Sequence, residues 1–386
     1  MSRLSIYLLT VGAFLAVTAE LILNGVVDMI AQDFQVSIAI AGQLVTAYAL
    51  AFAIGAPIVI TLTTRFDRKK VMLGALFFFI LGNLMSLWSP NFTVLMISRV
   101  FLGISGGVYT VVAMSAVSKL VPSEKLGNAM GTFMLGVSAS LVLGVPLGVV
   151  ISGWLSWQMA FGLLAVLSLF IMIGIARVIP SLPGEEATPF KQQISVFRNG
   201  KIVNGYFITL FWGAGYSTAF TFLVPFLQET VHMETSAITI TMFVLGLFSM
   251  IGTRLGGYGA DQWGIAKTVY SSLIIHAFAL LLLPVITTTV VTAVIMVAIW
   301  IGSAWMTSPT LQTYFIQQTP QSPDLALSLN TSVLQIGFAI GAGFGGFIVN
   351  ATGTVTHTPW VGGCIVILGI VAALFCMQIK RELRKA

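Results

Sequence analysis

The sequence is poor in charge. Of its 386 residues, 18 are Lys or Arg and 12 are Asp or Glu, together 8% of the chain. Soluble domains carry roughly 25%. So few charges cannot clothe a surface that faces water, which excludes a soluble globular protein. The net charge of +6 is therefore not read as a nucleic-acid footprint. What matters is where the positive charges fall. Cysteine is nearly absent. Cys364 and Cys376 both lie in the last apolar segment and read as small hydrophobes, not as a disulfide, and no zinc spacing exists. There is no Walker sequence, no nucleotide-sized soluble stretch and no cluster of metal-ligating residues. No cofactor, no metal and no nucleic-acid partner is expected, and no enzymatic activity.

Apolar residues are plentiful. They make up 57% of the chain, and the mean hydropathy is +1.00. A helix that crosses a bilayer needs about 20 of them in a row. Twelve stretches qualify: 5–27, 38–62, 70–89, 93–117, 128–152, 158–177, 203–228, 238–259, 266–286, 288–312, 325–349 and 359–379. Lipid admits only helices and closed barrels, and runs of this length exclude a barrel. The expectation is an all-α membrane protein with twelve transmembrane helices. Glu20 and Asn24 interrupt the first stretch and no cleavage site follows it, so it reads as a spanning helix and not as a signal peptide. The ninth and tenth stretches are divided only by Leu283-Pro284-Val285-Ile286-Thr287-Thr288-Thr289. The tenth turns polar at Thr307, Ser308, Pro309 and Thr310.

The charges test this count. With the N-terminus in the cytoplasm, inside loops receive Arg65, Arg68, Lys69, Lys70, Lys119, Lys125, Arg177, Lys191, Arg198, Lys201, Arg254 and Lys267. Arg3 and the tail residues Lys380, Arg381, Arg384 and Lys385 join them, so 17 of 18 basic residues share one face. Asp28, Asp33, Glu229 and Glu234 fall outside. A miscounted span would scatter this pattern. The longest loop, with Pro180, Pro183, Gly184 and Pro189, divides the chain into halves of six helices. The halves are 1–178 and 203–386, joined by a cytoplasmic loop at 179–202, with a short interfacial helix expected near 190–197. Two equal halves are what duplicated transporters show.

Two charges remain deep in apolar spans. Glu20 is flanked by Leu15, Ala16, Val17, Leu21, Ile22 and Leu23. A carboxyl group there is costly and normally faces a cavity or a partner, which suits a proton carrier. Asn24 lies one turn further on the same face. Arg99 is the only basic residue well inside a span, and Gly103, Gly106 and Gly107 follow it at spacings that allow close helix approach. A structural arginine in a packing seam is the plainer reading. The fifth stretch carries Gly136, Gly144, Pro146 and Gly148, and the eleventh carries Gln335, Gly337, Gly341, Gly345 and Gly346. Both are fifth in their half and both are glycine-spaced, which points to an internal repeat. Pro146 invites a kink. The loop between the eighth and ninth stretches holds Gly257, Asp261 and Gly264, between Arg254 and Lys267. Its first-half equivalent, Thr61 to Lys70, has no glycine and reads as an ordinary basic loop.

Polar and aromatic residues inside spans offer a wall for a planar, weakly polar solute. Helix seven contributes Trp212 and Tyr216, helix ten Trp300, and helix eleven Asn330 and Gln335; Asn24 adds to them from helix one. Interfacial belts use Trp and Tyr as well. His276, midway along the ninth stretch, is a lesser candidate for proton transfer.

These motifs resemble those of the major facilitator superfamily, in its twelve-helix drug:proton antiporter type, over nearly the whole chain. Asp261 with Gly257 and Gly264 resembles the second-half copy of the superfamily's cytoplasmic gating loop. Arg99 to Gly107 resembles the fourth-helix motif, whose arginine is implicated in proton coupling. Gly136, Gly144, Pro146 and Gly148 resemble the antiporter motif of the fifth helix. The first-half loop departs: the expected aspartate falls on Thr64 and a glycine position on Asp67. Closer likeness is to bacterial purine base/nucleoside efflux pumps and arabinose-efflux-like permeases. Ala19-Glu20-Leu21-Ile22, Ala41-Gly42-Gln43-Leu44-Val45, Ser89-Pro90-Asn91-Phe92, Val224-Pro225-Phe226-Leu227 and Asn330 to Gly337 carry it. The resemblance implies two six-helix bundles that rock about a midplane cavity. It implies proton-coupled efflux of a small organic solute across the bacterial inner membrane by a monomer. Glu20 and Arg99 would serve proton coupling. A sugar exporter, a uniporter or symporter, and a receptor without flux are the alternatives.

Overall fold

The computed structural model describes residues 3–121, 126–184, 199–319 and 323–382, which are helical throughout with short turns and no strand among them. Helices stand at all twelve expected places. The first span is Arg3–Leu21, a 3₁₀ turn at Ile22–Gly25, and Val27–Asp33. The second is Ile38–Leu50, a π turn at Ala51–Gly55, and Ala56–Leu62. The third to sixth are Arg68–Leu87, Phe92–Leu120, Leu126–Trp154 and Trp157–Val178. The seventh is Gly200–Phe220 and Leu223–Val231, bent by 46° between them. Thr235–Gln262, Ile265–Ile286, Val290–Gln318, Pro323–Thr352 and Thr358–Glu382 complete the set. Among the described residues nine spans are long and apolar enough to cross a membrane, and the bent pair makes ten. In the fifth and twelfth the apolar stretches that can be judged, Val142–Trp154 and Thr358–Leu374, are shorter. The expected interfacial helix near 190–197 lies outside the described residues.

Side-chain caps start several helices. Asp67, Asn91, Asn199 and Thr289 each accept from a backbone N–H of the first turn. Thr289 and Thr292 form a full capping box, so the ninth and tenth helices part at Thr287–Thr289, while Pro284 stays inside the ninth. The tenth helix does not end at 312. It runs through Pro309 to Gln318, because its polar residues bond sideways. Thr307 Oγ1 donates to Ser272 Oγ at 2.8 Å, and Thr310 Oγ1 to the Gly256 carbonyl at 3.1 Å. Most other hydroxyls within spans return to a carbonyl four residues back, as Thr10, Thr110 and Thr218 do. In lipid every polar group needs such a partner. That need explains many of the polar residues within the spans.

The helices form two compact units. Met1–Val36 and Ala47–Ala187 make the first; Ser37–Thr46 and Thr188–Ala386 make the second. Within each unit the same pairings recur. The first span packs on the fourth, fifth and sixth, and the third on the fourth and sixth; the seventh packs on the tenth, eleventh and twelfth, and the ninth on the tenth and twelfth. Glycine sets the closest of these approaches. Gly136, Gly144 and Gly148 face Thr10, Thr18 and Ile22 of the first span in one parallel register. Gly337, Gly341 and Gly345 face the carbonyls of Leu210, Ala214 and Thr218 on the seventh, again in one parallel register. A Cβ on Gly136 would lie 2.5 Å from the Thr10 carbonyl oxygen, and one on Gly341 2.2 Å from that of Ala214. The two glycine stripes are thus one packing device used twice. Pro146, buried beside the first stripe, is accommodated within the continuous helix Leu126–Trp154.

The ends away from the basic loops are clasped in matching ways. Asp33, closing the first span, accepts from Trp157 Nε1 at 3.0 Å and Gln158 Nε2 at 2.9 Å, where the sixth begins. Glu229, near the end of the seventh, accepts from Thr354 Oγ1 and the Val355 N–H, just before the twelfth. Spans one and six correspond to seven and twelve. Outside these contacts the helices expose large apolar residues such as Phe77, Phe170, Ile240 and Phe347, a surface fit for lipid and not for water.

Candidate functional site

The first unit gathers Glu20, Arg99 and a residue that composition did not single out, Tyr48. Arg99 is 1% exposed. Its Nη2 donates to Ser86 Oγ at 2.7 Å, and Ser86 shares a 2.8 Å bond with Ser98. Its Nη1 reaches the carbonyl of Ala19, the residue before Glu20, at 3.5 Å. The guanidinium also lies 4.4 Å above the ring centre of Phe161. A desolvated cation over an aromatic face gains about 2 kcal/mol, and each hydrogen bond to a charged group about 1.5–3 kcal/mol. Arg99 is therefore tightly fixed, although its Nε lacks a partner among the described residues. Tyr48 is buried within electrostatic reach of both Glu20 and Arg99, and its hydroxyl reaches the Ala16 carbonyl at 3.5 Å.

The glycines after Arg99 make room for this tyrosine. A Cβ on Gly103 would lie 2.4 Å from the Tyr48 carbonyl oxygen, and one on Gly106 2.9 Å from the Tyr48 hydroxyl. Gly107 does the same for Ala56. The second span meets this seam with its π turn at Ala51–Gly55, a distortion that recurs at functional sites. The seam reading and the coupling reading of Arg99 to Gly107 thus describe one arrangement.

Asn24 lies in the 3₁₀ turn that breaks the first span. It donates to the Leu21 carbonyl at 3.2 Å, and its Oδ1 accepts nothing among the described residues. Asp28, expected beyond the first span, lies in the short helix Val27–Asp33 and is 7% exposed.

In the second unit Trp212, Tyr216 and Phe220 follow one face of the seventh span. Trp300 and Trp305 of the tenth and Phe338 of the eleventh close around Tyr216, with ring centres 5.7, 6.0 and 5.8 Å away. His276 lies 6.5 Å from Trp300 and is fully buried. The indole N–H groups of Trp212, Trp300 and Trp305 and both nitrogens of His276 have no hydrogen-bond partner among the described residues. Each such group costs about 1–3 kcal/mol. Asn330 is not brought into this cluster. Its Oδ1 accepts from Thr209 Oγ1 at 2.6 Å, pinning the eleventh span to the seventh. Gln335 is buried one turn before Phe338.

The loop residues divide differently from the expectation. Gly257 and Asp261 lie within the helix Thr235–Gln262, with Asp261 exposed at its end; only Gly264 is in the turn. Gly264 caps the ninth span at φ 86°, a conformation that favours glycine. In the first half Asp67 does more than its basic surroundings suggested. It accepts from the Lys70 N–H at 3.2 Å, the Leu182 N–H at 3.0 Å and the Ser181 hydroxyl. The Arg68 N–H donates to the Leu182 carbonyl at 2.8 Å. A strap at 181–184 is thereby tied to the head of the third span. Slight burial raises the Asp67 carboxyl, but these hydrogen bonds outweigh it and hold it below its ordinary value of 3.8. A lowered carboxyl stabilises the fold above its ordinary value and loses that contribution as pH falls below it. Asp67→Ala should cost about 1 kcal/mol of thermal stability at neutral pH. In melts run from pH 7 downward the deficit should shrink below about pH 3.8.

Comparison with known proteins agrees with this architecture. The family model of the Major Facilitator Superfamily matches residues 9–324. An uncharacterised MFS-type transporter, YbcL of Bacillus subtilis (strain 168), is 34% identical over 98% of this chain and 97% of its own. A probable sugar efflux transporter of Helicobacter pylori (strain P12) is 26% identical over 98% of this chain and 96% of its own. A bacterial homologue of the human lysosomal transporter Spinster, solved inward-facing and unoccupied, superposes with a TM-score of 0.81 at 17% identity. It covers 100% of this chain and 99% of its own, so the fold is shared end to end. The chain is a multi-pass membrane protein and a transporter, not an enzyme, and it belongs to the Major Facilitator Superfamily.

Proposed function

We propose that the protein exports a small organic solute across the bacterial inner membrane in exchange for protons. The observation that carries this reading is the cluster of Glu20, Tyr48 and Arg99 in the first unit. Arg99 reaches the backbone beside Glu20, and Tyr48 lies within electrostatic reach of both. A carboxyl group within an apolar span, next to a carbonyl that a fixed cation reaches and within reach of a phenol, is a place to hold a proton. In this reading Glu20 exchanges a proton for solute, with Arg99 and Tyr48 as its neighbours. The halves 1–178 and 203–386 alternate access as a monomer, with both termini in the cytoplasm. Export is supported by the sugar efflux relative, and by the fifth-span stripe of Gly136, Gly144 and Gly148 held against the first span that carries Glu20.

The aromatic cluster of the second unit favours a planar solute with acceptor atoms, such as a purine base or nucleoside or a hydrophobic drug. Stacking faces and three indole N–H donors without acceptors suit such a ring. A sugar is the second reading, favoured by the name of the Helicobacter relative. Inverted vesicles under an imposed pH gradient, offered purines, cationic dyes, chloramphenicol-like drugs and pentoses, decide between them. At least one planar solute should accumulate, and dissipating the gradient should abolish that accumulation. Accumulation that survives loss of the gradient would refute exchange, and accumulation of pentoses alone would refute the planar class.

A further inference from the structure

A cavity, unrelated to Glu20 or the aromatic cluster, lies in the first unit at its basic end. It holds about 740 Å³ between the end of the second span and the third and fourth spans. One wall is a single helix face: Val71, Gly74 and Phe78 of the third span. The opposite wall is Phe101, Ile104 and Val108 of the fourth. Gly74 leaves the floor open, since a Cβ there would meet nothing within 4 Å. From Val71 to Phe78 the helix rises about 10 Å, so the slot runs from the membrane surface into the apolar layer. Its rim includes Phe66, in the turn before the third span, and Phe78 on that span, which are 61% and 48% exposed; exposed apolar surface on a spanning helix, as at Phe78, faces lipid.

The mouth is charged. Arg65 and Lys70 line it and are exposed. Asp67 lies at the same mouth, but its carboxylate is already engaged by Ser181, Leu182 and the Lys70 N–H. Two cationic side chains over an apolar slot that opens to the bilayer match one ligand chemistry, an anionic headgroup with an acyl chain. A soluble anion would leave the slot empty, and a neutral lipid would leave the charges unanswered.

We propose that this groove binds an anionic phospholipid, with its phosphate at Arg65 and Lys70 and an acyl chain laid along Gly74 toward Phe78. The site is independent of the transport reading and stands or falls without it. Native mass spectrometry of the full-length protein in detergent, titrated with phosphatidylglycerol and with phosphatidylethanolamine of identical chains, tests it. The wild type should retain phosphatidylglycerol preferentially. Each charge removed should weaken that binding about fivefold, so Arg65→Gln with Lys70→Gln should lose roughly 25-fold. Gly74→Phe should fill the slot without a clash and expel both lipids, with Gly74→Leu as a milder form. Thermal melts should show all variants folded. Equal retention of the two lipids by the wild type would overturn the proposal. So would phosphatidylglycerol binding that survives either the charge pair or the Gly74 substitutions, the latter outcome meaning a surface charge patch without a groove.

Discussion

Glu20→Gln should abolish uphill export, lowering the gradient-driven rate at least tenfold, while downhill exchange of solute persists. Glutamine keeps the size of the side chain and its capacity to hydrogen-bond. It cannot bind and release a proton. A variant that folds, binds and equilibrates solute but no longer concentrates it separates coupling from binding. Glu20→Asp, which keeps the acid but shortens its reach toward Arg99 and Tyr48, should retain part of the gradient-driven rate. Parallel assays of concentrative export and of solute exchange at zero pH gradient in the same vesicles read both quantities. Loss of both together would mean that Glu20 is needed for the fold or for solute, not for the proton.

Gly341→Ala should be strongly damaging to the second unit. Its Cβ would lie 2.2 Å from the Ala214 carbonyl oxygen and 2.9 Å from Ser217 Cβ. The obstacle is backbone, so no side chain can rotate away. The neighbouring contacts of Gly337 and Gly345 share the register, so relief requires moving the eleventh span off the seventh. Alanine is favoured over glycine within a helix by about 1 kcal/mol. Overpacking costs about 1–3 kcal/mol, and more against backbone. The net effect is a loss, and Gly341→Val should prevent folding. Displacement would also move Trp212 and Tyr216 away from Phe338, so solute affinity should fall with the melting temperature. Gly257→Ala is the control. Nothing lies within 4 Å of its added Cβ, so helix propensity alone acts and stability should hold or rise slightly. Melts of the two variants in one detergent test the argument by sign.

The large-scale design was legible because lipid leaves few choices. Runs of about 20 apolar residues with basic residues at their ends admit little but a helical bundle. The glycine stripes at Gly136–Gly148 and Gly337–Gly345 were readable as packing faces, since spacing alone fixes which side of a helix they share. Their partners were not, because register between helices distant in sequence leaves no local trace. Tyr48 escaped notice for that reason. It sits in an apolar run like any core tyrosine, and only the space left by Gly103 and Gly106 brings it to Arg99. Asp67 was read as one charge in a basic loop, yet a cap can be recognised only once its helix start is known. Asp28 was read as a loop charge, yet the 3₁₀ turn at Ile22–Gly25 is followed by a further helix, Val27–Asp33, in which it is buried. Asn330, read as part of a cavity wall, accepts a hydrogen bond from Thr209, which ties the eleventh span to the seventh. Polar residues inside spans must bond to something, and sequence does not distinguish a helix partner from a solute.

The central claim is exchange of solute for protons, and its most direct test is proton movement itself. Purified protein is placed in liposomes with a trapped pH-sensitive dye and loaded with whichever solute the vesicle panel identifies, with no initial pH difference. Solute leaving down its own gradient should drive protons inward, acidifying the lumen, and Glu20→Gln should abolish the signal. Alkalinisation of the lumen, solute efflux without any proton movement, or an undiminished signal from Glu20→Gln would contradict the account.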